Sequence, residues 1–91
     1  MAPAIRRHVI VRGRVQGVGF RWATDAAATE LGITGYVHNR PDGSVEVEAQ
    51  GSPEQVDAML DWLRAGPPFA RVDAVDVSER EVTQEAGFGT R

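Results

Sequence analysis

The chain has 91 residues, enough for one small domain that buries roughly 60% of its unfolded surface. Its net charge of −3, with ten Arg and no Lys, disfavours general nucleic-acid binding, so any positive potential must be local. No apolar run approaches the roughly 18 residues of a membrane span, and no secretory signal is visible. The absence of cysteine excludes disulfides, thiol catalysis and cysteine metal sites, and a cytoplasmic protein is expected.

The N-terminal third predicts a strand followed by a helix. Residues 6–14 alternate in polarity, with Val9 and Val11 on one face, as expected of a strand. Residues 22–32 are rich in alanine and predict a helix that stops at Gly32. The stripe predicted to pack on the sheet consists of Ala23, Ala27 and Leu31.

The next segment predicts a strand pair joined by a turn. Residues 34–40 form its first strand, and residues 40–43 (Arg-Pro-Asp-Gly) form the turn, with Asp-Gly as the strong element. Residues 44–50 alternate strictly, which indicates one buried and one solvent-facing side. The buried side is predicted to carry Val45, Val47 and Ala49. The solvent-facing side is predicted to carry Glu46, Glu48 and Gln50.

A second helix and a last strand complete the chain. Ser52, Pro53 and Gln55 have the spacing of a capping box with proline in the first turn. The apolar residues that follow have the spacing of one helix face: Val56, Met59, Leu60 and Leu63. Residues 70–80 predict a strand whose apolar phase slips between Val72-Ala74 and Val75-Val77, which indicates a bulge or twist. The tail, residues 87–91, predicts a short edge strand.

The resulting order, β-α-β-β-α-β, predicts an α+β fold of the ferredoxin-like class in a single domain, residues 1–91. In this sandwich the sheet is antiparallel and both helices lie on one face. The fold alone does not specify a function.

A glycine-punctuated segment, residues 13–21, joins the first strand to the first helix. Gly17 and Gly19 can adopt positive φ, which turns successive amides toward one point beside the positive end of the helix dipole. No Ser, Thr, Asp or Asn caps the helix, and Arg21 stands where the dipole disfavours a cation by about 0.3–1 kcal/mol. Both features fit a bound phosphate, although a plain turn with a solvated Arg21 is the alternative. The segment is not a Walker loop, because no Gly-Lys-Ser/Thr follows.

Two stretches of the sequence resemble the acylphosphatase family. Residues 13–21 (Gly-Arg-Val-Gln-Gly-Val-Gly-Phe-Arg) resemble its phosphate-binding loop. Residues 35–45 resemble its second signature, with Asn39 at the position of the catalytic asparagine. The chain departs from the family pattern at Tyr36, where Trp is frequent, and at Arg40, where a small hydroxylated residue is frequent. The resemblance extends over about the whole chain and implies the ferredoxin-like fold.

The resemblance implies hydrolysis of an acyl phosphate to a carboxylate and inorganic phosphate, with no metal or organic cofactor. Arg21 and the loop amides would hold the phosphoryl oxygens, while Asn39 would position the attacking water. The amides concerned are those of Val15, Gln16, Gly17, Val18, Gly19 and Phe20. This chemistry needs few groups, because a carboxylate with an acid pKa of about 4 leaves without a proton. Phosphoryl transfer then depends mostly on positioning and electrostatics.

The expected partner is a small-molecule acyl phosphate, and inorganic phosphate or sulfate is expected to fit the same loop. Neither nucleic acid nor membrane is expected as a partner, and the protein is expected to be a monomer. In the family, the end of the last strand can brace the catalytic arginine. Here Gly87 and Gly89 flank Phe88, which predicts a weaker edge strand. The acyl group is left open between acetyl phosphate, carbamoyl phosphate and 1,3-bisphosphoglycerate.

The histidines and large aromatic residues are expected to have structural roles. Strand alternation places His38 on the face opposite Asn39, and His8 is a lone histidine on the first strand. The aromatic residues expected to serve the core or general packing, rather than a stacking platform, are Trp22, Trp62 and Tyr36.

Three alternative functions are compatible with this fold. Ferredoxin-like domains also bind RNA on the open sheet face, but Glu46 and Glu48 would repel phosphate there. A non-catalytic or carrier role in carbamoyl phosphate metabolism is the second alternative, because an acylphosphatase-like domain also occurs at the N-terminus of a large hydrogenase-maturation carbamoyltransferase. No zinc motif follows in this chain, and a free-standing enzyme is favoured. A domain with the fold and no activity is disfavoured by the presence of Arg21 and Asn39.

Overall fold

The structure, a computed structural model, describes residues 3–91. The strands form one five-stranded sheet in the order β4-β1-β3-β2-β5, and both helices pack on the same face. The predicted α+β ferredoxin-like fold is confirmed. Neither helix in this range has the length and apolar character needed to cross a membrane. In chain order the elements are β1 (Ile5–Arg14), α1 (Phe20–Leu31), β2 (Thr34–Asn39), β3 (Val45–Gly51), α2 (Pro53–Ala65), β4 (Arg71–Arg80) and β5 (Phe88–Thr90).

The sheet is mixed, which corrects the prediction of a purely antiparallel one. The pairs β1–β3, β1–β4 and β2–β3 are antiparallel, but β5 runs parallel to β2. The chain leaves β4 at one edge of the sheet and returns at the other, so β5 enters beside β2 in the same direction. The bulge predicted in β4 is confirmed at Asp73, because Arg12 pairs with Ala74 and Gly13 with Val72.

The core lies between the sheet and the two helices. The capping box of α2 forms as predicted, with Ser52 Oγ accepting from the Gln55 amide at 3.2 Å and Gln55 Oε1 accepting from the Ser52 amide at 2.8 Å. The predicted apolar faces of α2 and β3 are both buried. The buried members are Val45, Val47, Ala49, Val56, Met59, Leu60 and Leu63.

Helix α1 begins two residues earlier than predicted, and its buried stripe is different. Phe20 is 1% exposed and packs edge-to-face against Trp62, with ring centroids 6.0 Å apart. Because this large ring enters the core at the first helical position, it sets the rotation of the helix. Of the stripe predicted from alanine spacing (Ala23, Ala27 and Leu31), Ala27 and Leu31 do pack against the core, but they are only partly buried. The fully buried residues of α1 are Phe20, Thr24 and Ala28.

The sheet face opposite the helices carries a charged network that the segment 81–87 partly covers. Arg6, only 3% exposed, donates to Glu48 at 2.6 Å and to Glu85 at 2.9 Å. Gln50, predicted to face solvent, is buried beneath Thr83, whose carbonyl accepts its amide at 2.9 Å. Burial opposes ionisation of Glu48, but hydrogen bonds from Arg6 and Tyr36 hold the pKa of its carboxyl below the ordinary value. The polar side chains of this face therefore hydrogen-bond to one another and to the segment 81–87.

Candidate active site

The loop between β1 and α1 depends on two left-handed glycines. Gly17 has φ 74° and Gly19 has φ 77°, as predicted. A Cβ atom at either position would meet no other atom within 4 Å, so the requirement for glycine is conformational rather than steric. Gly19 is the N-cap residue of α1, and no side chain caps the helix. The first turn of α1 contains no acidic residue, but it does contain Arg21.

Several backbone amides around this loop are available to a ligand. The first hydrogen bond of α1 runs from the Ala23 amide to the Gly19 carbonyl at 3.0 Å, which leaves the amides of residues 20–22 as the unpaired donors of a helix N-terminus. Within residues 3–91, the amides of residues 16–19 donate to no backbone carbonyl either. Donors that converge beside a positive dipole end favour an anion.

A cleft of about 190 Å³ lies above these amides. It brings together six of the eight residues predicted to form the site, along with Trp22. Gln16 and Val18 do not line it, because their side chains point away: Gln16 toward the β2–β3 turn and Val18 toward the core. The lining residues are Val15, Gly17, Gly19, Phe20, Arg21, Trp22 and Asn39.

Asn39 enters the cleft from the last position of β2. It shares the inner face of that strand with Val37, which is fully buried. Its Oδ1 atom is buried and has no hydrogen-bond partner among the described residues. A buried carbonyl oxygen without a partner is costly to the fold, by about 1–3 kcal/mol, so it requires a partner that the neighbouring side chains do not supply. A water molecule or a polar substrate atom would satisfy it.

The position of Asn39 is supported by the side chain of Gln16, a role the sequence did not reveal. Gln16 Nε2 donates to the carbonyl of Arg40 at 2.7 Å and to that of Ser44 at 2.9 Å, which ties the β1–α1 loop to the β2–β3 turn. Within the turn, Asp42 Oδ1 accepts from both the hydroxyl and the amide of Ser44. These hydrogen bonds lower the pKa of Asp42 to about 2.

Arg21 is held from the opposite side by the end of β5. Its Nη1 donates to the main-chain oxygen of Arg91 at 3.4 Å. Arg91 is itself fixed: its amide donates to the Val37 carbonyl at 2.7 Å, and its guanidinium lies 3.9 Å from the Tyr36 ring centroid and 3.0 Å from Glu85. Short as it is, β5 therefore has a firm anchor. Within the described residues Arg21 forms no ion pair with an Asp or Glu side chain, so N–H groups of its guanidinium remain for a ligand.

Neither histidine lines the cleft. His38 Nδ1 lies 3.3 Å from the Arg91 carbonyl, and His8 pairs with Glu46 at 2.7 Å on the outer face. Tyr36 and Trp62 pack against neighbours as predicted. The prediction for Trp22 is wrong, because this residue is 79% exposed and lines the cleft. Residues 3–91 contain no cluster of three His, Asp or Glu side chains arranged to hold a metal ion.

Comparison with known proteins identifies the family. The acylphosphatase family model matches residues 7–90. An acylphosphatase of Methylococcus capsulatus is 56% identical over 80 residues, which cover 88% of this chain and 87% of that protein. The solved structure of an acylphosphatase from Coxiella burnetii superposes with a TM-score of 0.93 at 39% identity, and the match covers 97% of this chain and 93% of that protein.

The same fold recurs inside a larger protein. Full-length HypF in a phosphate- and nucleotide-bound form superposes with a TM-score of 0.92 at 25% identity. The match covers all of this chain and only 12% of the HypF chain. The relatives named acylphosphatase, in contrast, match over most of their own length. The two stretches singled out in the sequence, the loop at residues 13–21 and the strand end at Asn39, both fall within the family match and meet in one cleft. The chain belongs to the acylphosphatase family.

Proposed function

We propose that this protein hydrolyses acyl phosphates with Arg21 and the loop amides as the phosphate-binding groups and Asn39 as the residue that positions water. The observation that carries the proposal is the cleft itself. It brings together a cation that no Asp or Glu side chain pairs, the donors of the helix N-terminus and the unpartnered Oδ1 of Asn39. A doubly charged phosphoryl group complements the first two, and a water molecule complements the third.

The reaction balances with these groups alone. The oxygen of a water held by Asn39 Oδ1 attacks phosphorus as the bond from phosphorus to the acyl oxygen breaks. The carboxylate leaves as an anion and needs no proton. The proton lost by the attacking water passes to an oxygen of the phosphoryl group, which departs as inorganic phosphate. No side chain is required as nucleophile or general base, and the nearest histidine, His38, lies outside the cleft.

Arg21 and the amides supply the electrostatic part of catalysis. Charge in the phosphoryl transition state is distributed over its outer oxygens, so fixed donors around those oxygens lower the barrier. The carbonyl of Arg91 accepts one N–H of the Arg21 guanidinium, and the remaining N–H groups can point into the cleft. We therefore propose that catalysis is independent of metal ions and that inorganic phosphate occupies the same loop.

The test is hydrolysis of benzoyl phosphate, followed by absorbance, in EDTA and again with added Mg²⁺. Equal rates in both, with competitive inhibition by inorganic phosphate, are expected. Activity that requires the metal would refute the metal-independent mechanism, while non-competitive inhibition would place phosphate elsewhere. The same proposal includes a single domain over residues 1–91, a monomer and a cytoplasmic location; sedimentation of the purified chain tests the monomer.

A further inference from the structure

The cleft is small, with a volume of about 190 Å³, below the roughly 300–1,000 Å³ typical of sites that enclose drug-sized ligands. With the phosphoryl group held by Arg21 and the loop amides, the acyl group extends from phosphorus toward the other residues that line the cleft. The lining residues whose side chains are exposed therefore decide which acyl groups bind well.

One of these lining residues presents a large, exposed apolar surface. Val15 and Phe20 are 0% and 1% exposed, so their side chains belong to the core. Trp22, in contrast, is 79% exposed although it follows Arg21 directly in the first turn of α1. The aromatic pair found in residues 3–91 joins Phe20 to Trp62 and does not include Trp22. The indole is therefore not used by the fold, and it stands beside the group proposed to bind phosphate.

We infer that Trp22 is a specificity-determining residue that receives the acyl group of the substrate. The inference rests on the proposed function, because it takes the phosphoryl position from Arg21 and the loop amides. The indole offers a flat apolar face and little hydrogen-bonding capacity, which favours aromatic or extended apolar acyl groups. An acetyl group is too small to cover the ring. The protein accordingly prefers acyl phosphates whose acyl group carries a ring or a longer hydrocarbon chain.

The test compares benzoyl phosphate with acetyl phosphate in the wild type and in Trp22→Ala, Trp22→Phe and Phe69→Ala. Phe69 is the matched control, because it is 83% exposed but does not line the cleft. The ratio of the two kcat/KM values should fall by about three- to tenfold in Trp22→Ala, chiefly through KM for benzoyl phosphate. Trp22→Phe should restore most of the ratio, and Phe69→Ala should leave it unchanged.

An unchanged ratio in Trp22→Ala would overturn the inference while leaving the proposed function intact, because both substrates would still be hydrolysed. Should the wild type hydrolyse neither substrate, the proposed function fails instead. In that case the dissociation constants of benzylphosphonate and methylphosphonate, measured by calorimetry, decide the role of Trp22 without turnover. Preferential binding of benzylphosphonate that is lost in Trp22→Ala supports it, and equal or absent binding contradicts it.

Discussion

The contact between Gln16 and the β2–β3 turn allows a quantitative prediction. Gln16→Ala removes two hydrogen bonds, of 2.7 and 2.9 Å, to the carbonyls of Arg40 and Ser44. Each such bond contributes about 0.5–1.5 kcal/mol net, so the free energy of unfolding should fall by about 1–3 kcal/mol. In a domain of this size, about 1 kcal/mol lowers Tm by roughly 4–8 °C. Activity should fall as well, because the turn follows directly after Asn39.

Urea denaturation and steady-state kinetics measure the two effects separately. Gln16→Ala should lower the urea midpoint without changing the m-value, and it should lower kcat more than it raises KM. The matched control is Gln84→Ala, an exposed glutamine in the segment that covers the outer face of the sheet. A large loss of stability with normal kcat would refute the idea that Gln16 positions Asn39. Unchanged stability would show that the two hydrogen bonds contribute nothing net.

Three further predictions concern Asn39, His38 and Tyr36. Asn39→Ala should lower kcat by about 10²–10³ but leave the dissociation constant of inorganic phosphate nearly unchanged; equal losses in a phosphate titration would contradict a role in positioning water. His38→Ala should keep kcat/KM within a few-fold, since the histidine lies outside the cleft and the Val37 carbonyl also holds Arg91; a steep loss would refute this. Burial and the hydrogen bond to Glu48 raise the pKa of Tyr36 from 10.0 to about 12. The unfolded chain therefore loses this proton first, and the urea midpoint should fall from pH 10 to pH 12, more steeply than in Tyr36→Phe.

Local sequence signals predicted much of this structure. The capping box at Ser52, the turn at residues 40–43 and the left-handed glycines 17 and 19 each depend on a few consecutive residues, and the structure contains all of them. The uncapped start of α1 and the arginine in its first turn could be predicted for the same reason, because both are visible in the sequence.

Features that depend on distant neighbours could not be predicted. The phase of α1 follows from the insertion of Phe20 against Trp62, 42 positions later in the chain. Gln50 is buried because the segment around Thr83 folds over it, and no alternation pattern encodes that. Trp22 reads as a core residue from composition alone, but the rotation of α1 turns it outward beside the cleft.

The role of Arg21 is tested most directly by metal-free hydrolysis of benzoyl phosphate. Wild type, Arg21→Ala, Arg21→Lys and Arg64→Ala would be compared in EDTA, with Arg64 as an exposed arginine on α2, away from the cleft. Arg21→Ala should lose at least about 10²–10³ in kcat/KM, and Arg21→Lys should stay badly impaired because an ammonium cannot bind two oxygens in one plane. Arg64→Ala should match the wild type. Near-normal turnover by folded Arg21→Lys would contradict planar two-point binding, and near-normal turnover by Arg21→Ala would contradict the whole account of the site.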